Sequence, residues 1–515
     1  MKRFLFIIFC LVAVNAQATV YYVDPTSSTS CGESGVTRFT DFDRDWSGLS
    51  PGDKILILEG TSHQISDVTS IPAGENGNPI TVNAYSESGC TEWTAGQAGT
   101  KPILDADSTD TSEGIVLRNG YITIQNIHFT DFNAAIRVRP ITDSADIYNP
   151  IFQYNQITRG IMGIRVLEDG DTPGDMYNGQ ILYNTIDLDG SQETEDDCID
   201  LFSNTLNNGL ISGWTIAYND VSNCPHFGVY VSGTNNIVEY NIVRDSNNCG
   251  DGCVELASVA GSGVSDSQIA RYNYCDNTGI IQIYGCTDCE VHHNVLDCSG
   301  ENGCEHLGGG TVAIDSLIQG AEDSTNLLVY NNTLINIPVD FSGLRVSASG
   351  EDTGSVAGTV FANNIIYGTN EATDGQCFWV YDTVSGINPL TDVFFTNNVC
   401  TNWNGNIADI EESNYATVAL FDAADGVVNA NNNEDFDPQL SNISGGEFWP
   451  SSTSSNVWQA GYNTGTSYDD YIVEKDINDW PISASDLQQE DTHHIGAFTL
   501  ETSSTATNSG VSINQ

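Results

Sequence analysis

The 515-residue chain carries 69 acidic and 15 basic side chains, a net charge of -54 at pH 7. Acidity on that scale suits solubility at high ionic strength and repels polyanions, which argues against nucleic acid and anionic membrane surfaces as partners. The length exceeds one ordinary domain unless a repeat architecture uses it as a single body.

Residues 1–18, MKRFLFIIFCLVAVNAQA, place Lys2 and Arg3 ahead of an apolar run from Phe4 to Val14 and end in Ala16-Gln17-Ala18, the layout of a secretory signal peptide. The mature chain is expected to begin at Thr19. No later stretch approaches the roughly 20 apolar residues that span a bilayer, so the expectation is an exported protein, extracellular or periplasmic, without membrane insertion. Without Cys10, thirteen cysteines remain, a number that fits an oxidising compartment and leaves at least one unpaired. Cys286-Thr-Asp-Cys289 has no second CxxC at finger-like spacing, which disfavours zinc.

Helical periodicity is nearly absent from residue 19 onward, and Gly, Asn, Asp, Ser and Thr punctuate short β-branched runs. An asparagine followed two residues later by a usually apolar residue recurs at Asn126, Asn155, Asn184, Asn219, Asn241, Asn273, Asn294, Asn332, Asn364 and Asn398. Such a spacing predicts a solenoid with one short unit per repeat, its asparagines stacked at the same turn of every coil. Helical repeats would show amphipathic patterns and propeller blades four strands each, so an all-β parallel β-helix over residues 19–445 is expected.

A second strand follows each asparagine: AAIRV, GIRVL, CIDLF, GVYVS, CVELA, IIQIY, TVAID, GLRVS and CFWVY. Apolar residues flank a central position in each, and alternation sends the flanking residues inward and the centre outward. The outward row reads Arg137, Arg165, Asp200, Tyr230, Glu255, Gln282, Ala313, Arg345 and Trp379. Two residues on, a second row reads Arg139, Leu167, Phe202, Ser232, Ala257, Tyr284, Asp315, Ser347 and Tyr381.

A solvated sheet face would carry Thr, Ser and Asn. Arginine forks suit carboxylate or sulfate, and aromatic faces suit sugar rings. The residues expected to bind an extended acidic polysaccharide are therefore Arg137, Arg139, Arg165, Gln282, Tyr284, Arg345 and Trp379. Coils about 4.8 Å apart put Tyr230 one coil from Asp200 and from Glu255, roughly 10 Å from each other. In that register His226 falls between Asp196 and Asp251, and Cys224 falls beside Cys249, close enough for a disulfide.

The stretches YYVDPTSS, LSPGDKILILEG, GNPITVNAY and HHIGAFTLE resemble the secreted right-handed parallel β-helix proteins of the pectate-lyase-like superfamily over nearly the whole mature chain. Within it, DDCIDL is similar to the calcium site of family-nine pectate lyases, which implies that Asp196, Asp197 and Asp200 hold calcium. The catalytic lysine of that family would fall at Tyr230, so a tyrosine takes its place. CPHFG resembles the Asp-Pro-His motif of alginate epimerases, with Cys224 at the aspartate, and DDC is shared with polygalacturonases, whose Gly-His-Gly is missing.

Chemistry points to a lyase independently. β-Elimination across a uronate needs the carboxylate neutralised and a base near the acidified C–H. Tyr230, with a pKa lowered by a cation, is the expected base, and His226, Arg271 and Glu255 complete the candidate catalytic set. Two alternatives stay open: an inverting glycoside hydrolase using Asp200 and Glu255, and a non-catalytic carbohydrate-binding surface protein. The chain is expected to act as a monomer. Residues 446–500 read as an irregular closing segment, and 501–515, ETSSTATNSGVSINQ, as a flexible tail.

Overall fold

A computed structural model describes residues 18–450 apart from 27–30, 32–36, 107–111, 141–145, 168–173, 189–196, 204–209, 245–251, 258–264, 278–279, 299–311, 318–322, 338–341, 349–355, 370–375, 383–389, 411–412, 425–427, 436, 439 and 443–446. The chain is a right-handed parallel β-helix. Four stacks of strands run its length: a long sheet of 16 strands, a second sheet of 12, a face sheet of 12 that carries the outward row, and a sheet of nine two-residue strands.

One coil illustrates the path. Ile147–Tyr148 enters the two-residue stack, Ile151–Gln153 the long sheet, Gln156–Thr158 the second sheet and Met162–Leu167 the face sheet; Met176–Tyr177 then begins the next coil on top of the first. Pairing between coils is parallel throughout, and the antiparallel pairs Tyr85–Ser86 with Thr91–Glu92, Ala408–Ile410 with Ser413–Tyr415, and Leu440–Asn442 with Glu447–Pro450 are local hairpins.

Each three-residue strand of the long sheet points its middle side chain into the core, so stability comes from stacking like on like. The inward positions Phe152, Ile181, Ile216, Val238, Ala270, Val291, Val329, Phe361 and Phe395 pair in register from coil to coil. They join one hydrophobic core that reaches from Val23 to Val428, and removal of apolar surface from water drives this assembly.

The asparagine ladder is present with a register correction. Each member donates from Nδ2 to the Oδ1 of the next, from Asn155 to Asn184 at 3.1 Å through to Asn398 and Asn433 at 3.0 Å. The preceding residue is left-handed in every case, Tyr154 with φ 56° being the first. Asn126 does not occupy this slot. It is itself left-handed, φ 59°, and Ile127 donates its N–H to Asn155 Oδ1 at 3.2 Å. Asn126 instead donates to Asn83 Oδ1 at 2.9 Å. At the other end the ladder passes Asn398 and includes Asn433, whose Nδ2 donates to Asp422 Oδ1 at 2.6 Å. Asp422 closes the short helix Val418–Asp422, so a carboxylate caps the stack.

Five of the left-handed positions that precede a ladder asparagine are tyrosines. Tyr154, Tyr183, Tyr218, Tyr240 and Tyr272 stack at 4.8–5.0 Å between ring centroids. A left-handed backbone costs a non-glycine residue about 1–2 kcal/mol, and ring stacking offsets part of that cost.

All eleven described cysteines are disulfide-bonded. Cys31 pairs with Cys90, Cys253 with Cys275, Cys286 with Cys289 and Cys377 with Cys400. Cys224 pairs with Cys198 and not with Cys249, which lies outside the described residues. The reason is that Cys224 faces the interior at a coil corner, where the start of the previous face strand passes at 5.3 Å between Cα atoms. The expected closing segment and tail fall outside the described residues beyond Pro450, and residues 1–17 of the expected signal peptide do too. Among the described residues no helix is long and apolar enough to cross a membrane.

Candidate functional site

The face sheet brings most of the expected row into line. Strand pairing places Arg137 beside Arg165, Arg165 beside Asp200, Asp200 beside Tyr230, Tyr230 beside Glu255 and Glu255 beside Gln282. Next come Asp315, Arg345, Trp379 and Asp409. Asp315, not Ala313, is therefore the central residue of its strand. The apolar pattern of TVAID centres on Ala313, but the strand is Val312–Leu317 and its register is set two residues later. Leu317 consequently replaces Asp315 in the second row, between Tyr284 and Ser347. Arg139 follows directly after strand Ala134–Val138, its N–H bonded to Leu117 O at 2.8 Å.

Local sequence explains the corner that precedes this row. Two residues before the centre stand Gly163, Cys198, Gly228, Cys253, Ile280, Gly343 and Cys377. A Cβ on Gly228 would come within 2.3 Å of Val243, and one on Gly343 within 2.6 Å of Ile366. Corner positions accept glycine, or a side chain that the core has room to take in.

The outward row is largely covered. Asp200, Glu255 and Gln282 are 4%, 7% and 5% exposed. Asp200 Oδ2 lies 3.0 Å from Arg165 Nε, Arg137 pairs with Glu113, and the Arg345 guanidinium sits 5.0 Å from the centre of the Trp379 ring. Phe202 stacks beside Tyr230 at 6.0 Å. Burial, and then the carboxylates of Glu255, Asp200 and Asp197, push the Tyr230 phenol well above its usual pKa. The expected lowering is thus reversed: the nearest charges are anions, which hold the proton on the oxygen.

His226 bonds through Nδ1 to Asp197 Oδ1 at 2.9 Å, and the Phe227 N–H donates to the same oxygen at 2.8 Å. Its partner is Asp197, where the sequence register pointed to Asp196 and Asp251; both of those lie outside the described residues. A carboxylate at Nδ1 fixes the tautomer with the lone pair on Nε2. The ring is 23% exposed.

Of the three expected calcium ligands, Asp196 is outside the described residues, and Asp197 and Asp200 face His226 and Arg165. Their oxygens are the donor class calcium takes. The negative charge of Asp197 and Asp200 is met in part by these protein groups. No three His, Cys, Asp or Glu among the described residues converge as a metal-holding group.

Arg271 does not belong to this face. It stands on the long sheet in register between Glu239 and His292, and its Nη2 lies 2.7 Å from Glu239 Oε2. There it adjoins a buried polar network that sequence reasoning missed. His292 Nδ1 meets His293 Nδ1 at 2.7 Å, His292 stacks on Tyr330 at 4.6 Å, and Tyr330 donates to Glu290 Oε2 at 3.3 Å. The signal was present in the chain: in the strand before each ladder asparagine, the outward residue reads Glu239, Arg271, His292 and Tyr330 in successive coils.

No family model and no curated protein matches the sequence. Among solved structures, a pectate lyase is 13% identical, with 94% of this chain and 96% of that chain covered and a TM-score of 0.38. An alginate lyase from Paenibacillus sp. is 15% identical over 64% of this chain and 91% of that one, with a TM-score of 0.37. A lacto-N-biosidase from Eubacterium ramulus is 11% identical over 65% of each chain, with a TM-score of 0.35.

Proposed function

We propose that the chain is an exported enzyme acting on an acidic polysaccharide, and that it cleaves by β-elimination. The observation that carries this reading is the register Arg165, Asp200, Tyr230, Glu255 on consecutive coils of one face. Arginines lie on both sides of that centre, Arg137 and Arg165 before it and Arg345 after it, with Trp379 and Tyr284 as stacking surfaces. A uronate chain laid across the coils would meet guanidinium forks outside and titratable groups inside.

In the elimination, a base removes the proton on the carbon next to the carboxylate, its electron pair forms the C–C double bond, the bond to the glycosidic oxygen breaks, and that oxygen takes a proton. His226, oriented by Asp197, offers the lone pair of Nε2 as the base. Tyr230, held protonated by its surroundings, is suited to give its proton to the leaving oxygen. This exchanges the role that the lysine comparison gave to the tyrosine. Arg165 would neutralise the substrate carboxylate. Calcium held by Asp196, Asp197 and Asp200 would supply the same neutralisation.

A hydrolase is the second reading, favoured by the two-coil separation of Asp200 and Glu255, about 10 Å and near the upper limit for an inverting pair. The proposal further holds the protein to be a monomer.

The test is a screen against alginate, pectate, glycosaminoglycans and sulfated algal polysaccharides. Ultraviolet absorbance reads unsaturated product, and a separate assay reads reducing ends. Unsaturated product that disappears in Tyr230→Phe supports the lyase. Reducing ends without absorbance give the hydrolase, and binding with neither signal gives a binding protein. Loss of activity on chelation, restored by calcium, assigns the neutralising role to the metal; undiminished activity assigns it to Arg165.

A further inference from the structure

The turn that delivers His226 to the face is tied to the preceding coil at four successive points. Asn223, left-handed with φ 59°, donates from Nδ2 to Asp187 Oδ1. Cys224 is bonded to Cys198. His226 and the N–H of Phe227 share Asp197 Oδ1. In return the Cys198 N–H donates to Phe227 O at 3.1 Å. Cys198 follows Asp197 directly, and Cys224 precedes His226 by two residues, so the two halves of the dyad are the chain neighbours of the two halves of the disulfide.

We infer that the Cys198–Cys224 disulfide is the positioning element of the His226–Asp197 pair, and that the site is assembled in full only in the oxidised protein. The inference rests on the catalytic reading of His226. The physical reason lies in the relative strength of the four ties. The Asn223 contact is exposed and competes with water. The Asp197 contacts are the arrangement to be held and cannot also be what holds it, and the Cys198 N–H to Phe227 O bond is a single backbone hydrogen bond, weak beside a covalent one. The disulfide alone is covalent, and both its sulfurs belong to fully buried residues in the core. It fixes the corner of one coil against the start of the face strand below, at the level where a slip would separate Nδ1 from its carboxylate. Cys253–Cys275 joins coils in a similar way, but no histidine stands within two residues of either of its cysteines. Cys31–Cys90 lies at the N-terminal end and closes a longer loop, with a sequence separation of 59 against 26.

The experiment compares the full mature chain with Cys198→Ala/Cys224→Ala and with Cys31→Ala/Cys90→Ala. Amide exchange of the segment containing Phe227 reads the dyad directly and requires no substrate. The first double variant is expected to lose about 10–100-fold of its protection there, a local opening, with the amides of Asn219 and Asn241 unchanged. The second removes the longer cross-link and should cost more global stability without changing exchange at Phe227. Where a substrate is turned over, kcat should fall about 100-fold with KM nearly constant, as for a misplaced catalytic group. Protection at Phe227 within about twofold of the parent overturns the inference. Should the first variant fail to fold, the parent is titrated with dithiothreitol, whose two thiols supply the two electrons the bond takes up, and Phe227 exchange is followed as Cys198–Cys224 opens. Raised exchange in a protein that turns over none of the substrates keeps the positioning role and removes the lyase reading; unchanged exchange removes the positioning role whatever the activity.

Discussion

Replacing Asn241 by alanine perturbs the centre of the amide stack, and its cost follows from the hydrogen bonds that this side chain makes. The Asn241 Nδ2 donates to Ile216 O at 2.9 Å and to Asn273 Oδ1 at 3.0 Å, while its Oδ1 accepts from the Asn219 N–H at 3.0 Å and from Asn219 Nδ2 at 2.9 Å. The residue is 1% exposed, so water does not replace it freely. The Asn219 N–H and the Ile216 carbonyl would each be left facing an alanine methyl, at about 1–3 kcal/mol apiece when buried, and the two bonds to neighbouring side chains add about 0.5–1.5 kcal/mol each. A destabilisation of about 6 kcal/mol, the middle of the range these terms span, is expected. Aspartate should do no better, since its second carboxylate oxygen would face two acceptors. Urea unfolding followed by far-ultraviolet circular dichroism measures the change, and amide exchange shows whether opening begins at the flanking coils, as nearest-neighbour coupling in a solenoid requires. A destabilisation below about 1 kcal/mol would refute the view that the ladder is a principal support of the turn.

Further outcomes can be set beside this one. Tyr230→Phe is expected to lower turnover at least about 100-fold, within the span of general acid–base contributions, with polysaccharide binding retained; an active variant, read by product absorbance, removes the tyrosine from the mechanism. His292→Ala should cost about 2 kcal/mol by removing the stacking on Tyr330 and the bond to His293, without affecting turnover, since it stands on the long sheet; thermal unfolding and the polysaccharide screen check both halves. Burial lowers the pKa of His63 below its ordinary 6.5, so the unfolded chain binds more protons and stability falls as pH drops below that value; His63→Asn should flatten the slope in a pH series of unfolding midpoints. Asp422 is shifted upward by burial, so its contribution runs the other way: stability falls as pH rises from 3.8 through the folded pKa, and Asp422→Asn should remove that component.

What the sequence determined by itself was the repeat. A period-2 alternation in the face strands and an asparagine at each coil are local signals, and they fix which residues face in or out because one register satisfies both the core and the amide stack. The row from Arg137 to Gln282 was legible for that reason. Where two near-equivalent alignments existed the register slipped. Asn126 and Ile127 differ by one position, and Ala313 and Asp315 by two, and only the backbone pairing with the neighbouring coils chose between them. The tertiary structure alone decided the rest. Counting coils already placed Tyr230 between Asp200 and Glu255, but its burial and the approach of Asp197 at the corner, which keep the phenol protonated, come from parts of the chain that only the fold brings together. Cys224 meets Cys198 because both turn inward at stacked corners of successive coils, a placement around the circumference that spacing along the chain does not specify. Arg271 looked close to Tyr230 in the order of coils, but it belongs to another side of the helix. Distance along a solenoid is set by counting repeats, whereas proximity around its circumference depends on which sheet each strand joins.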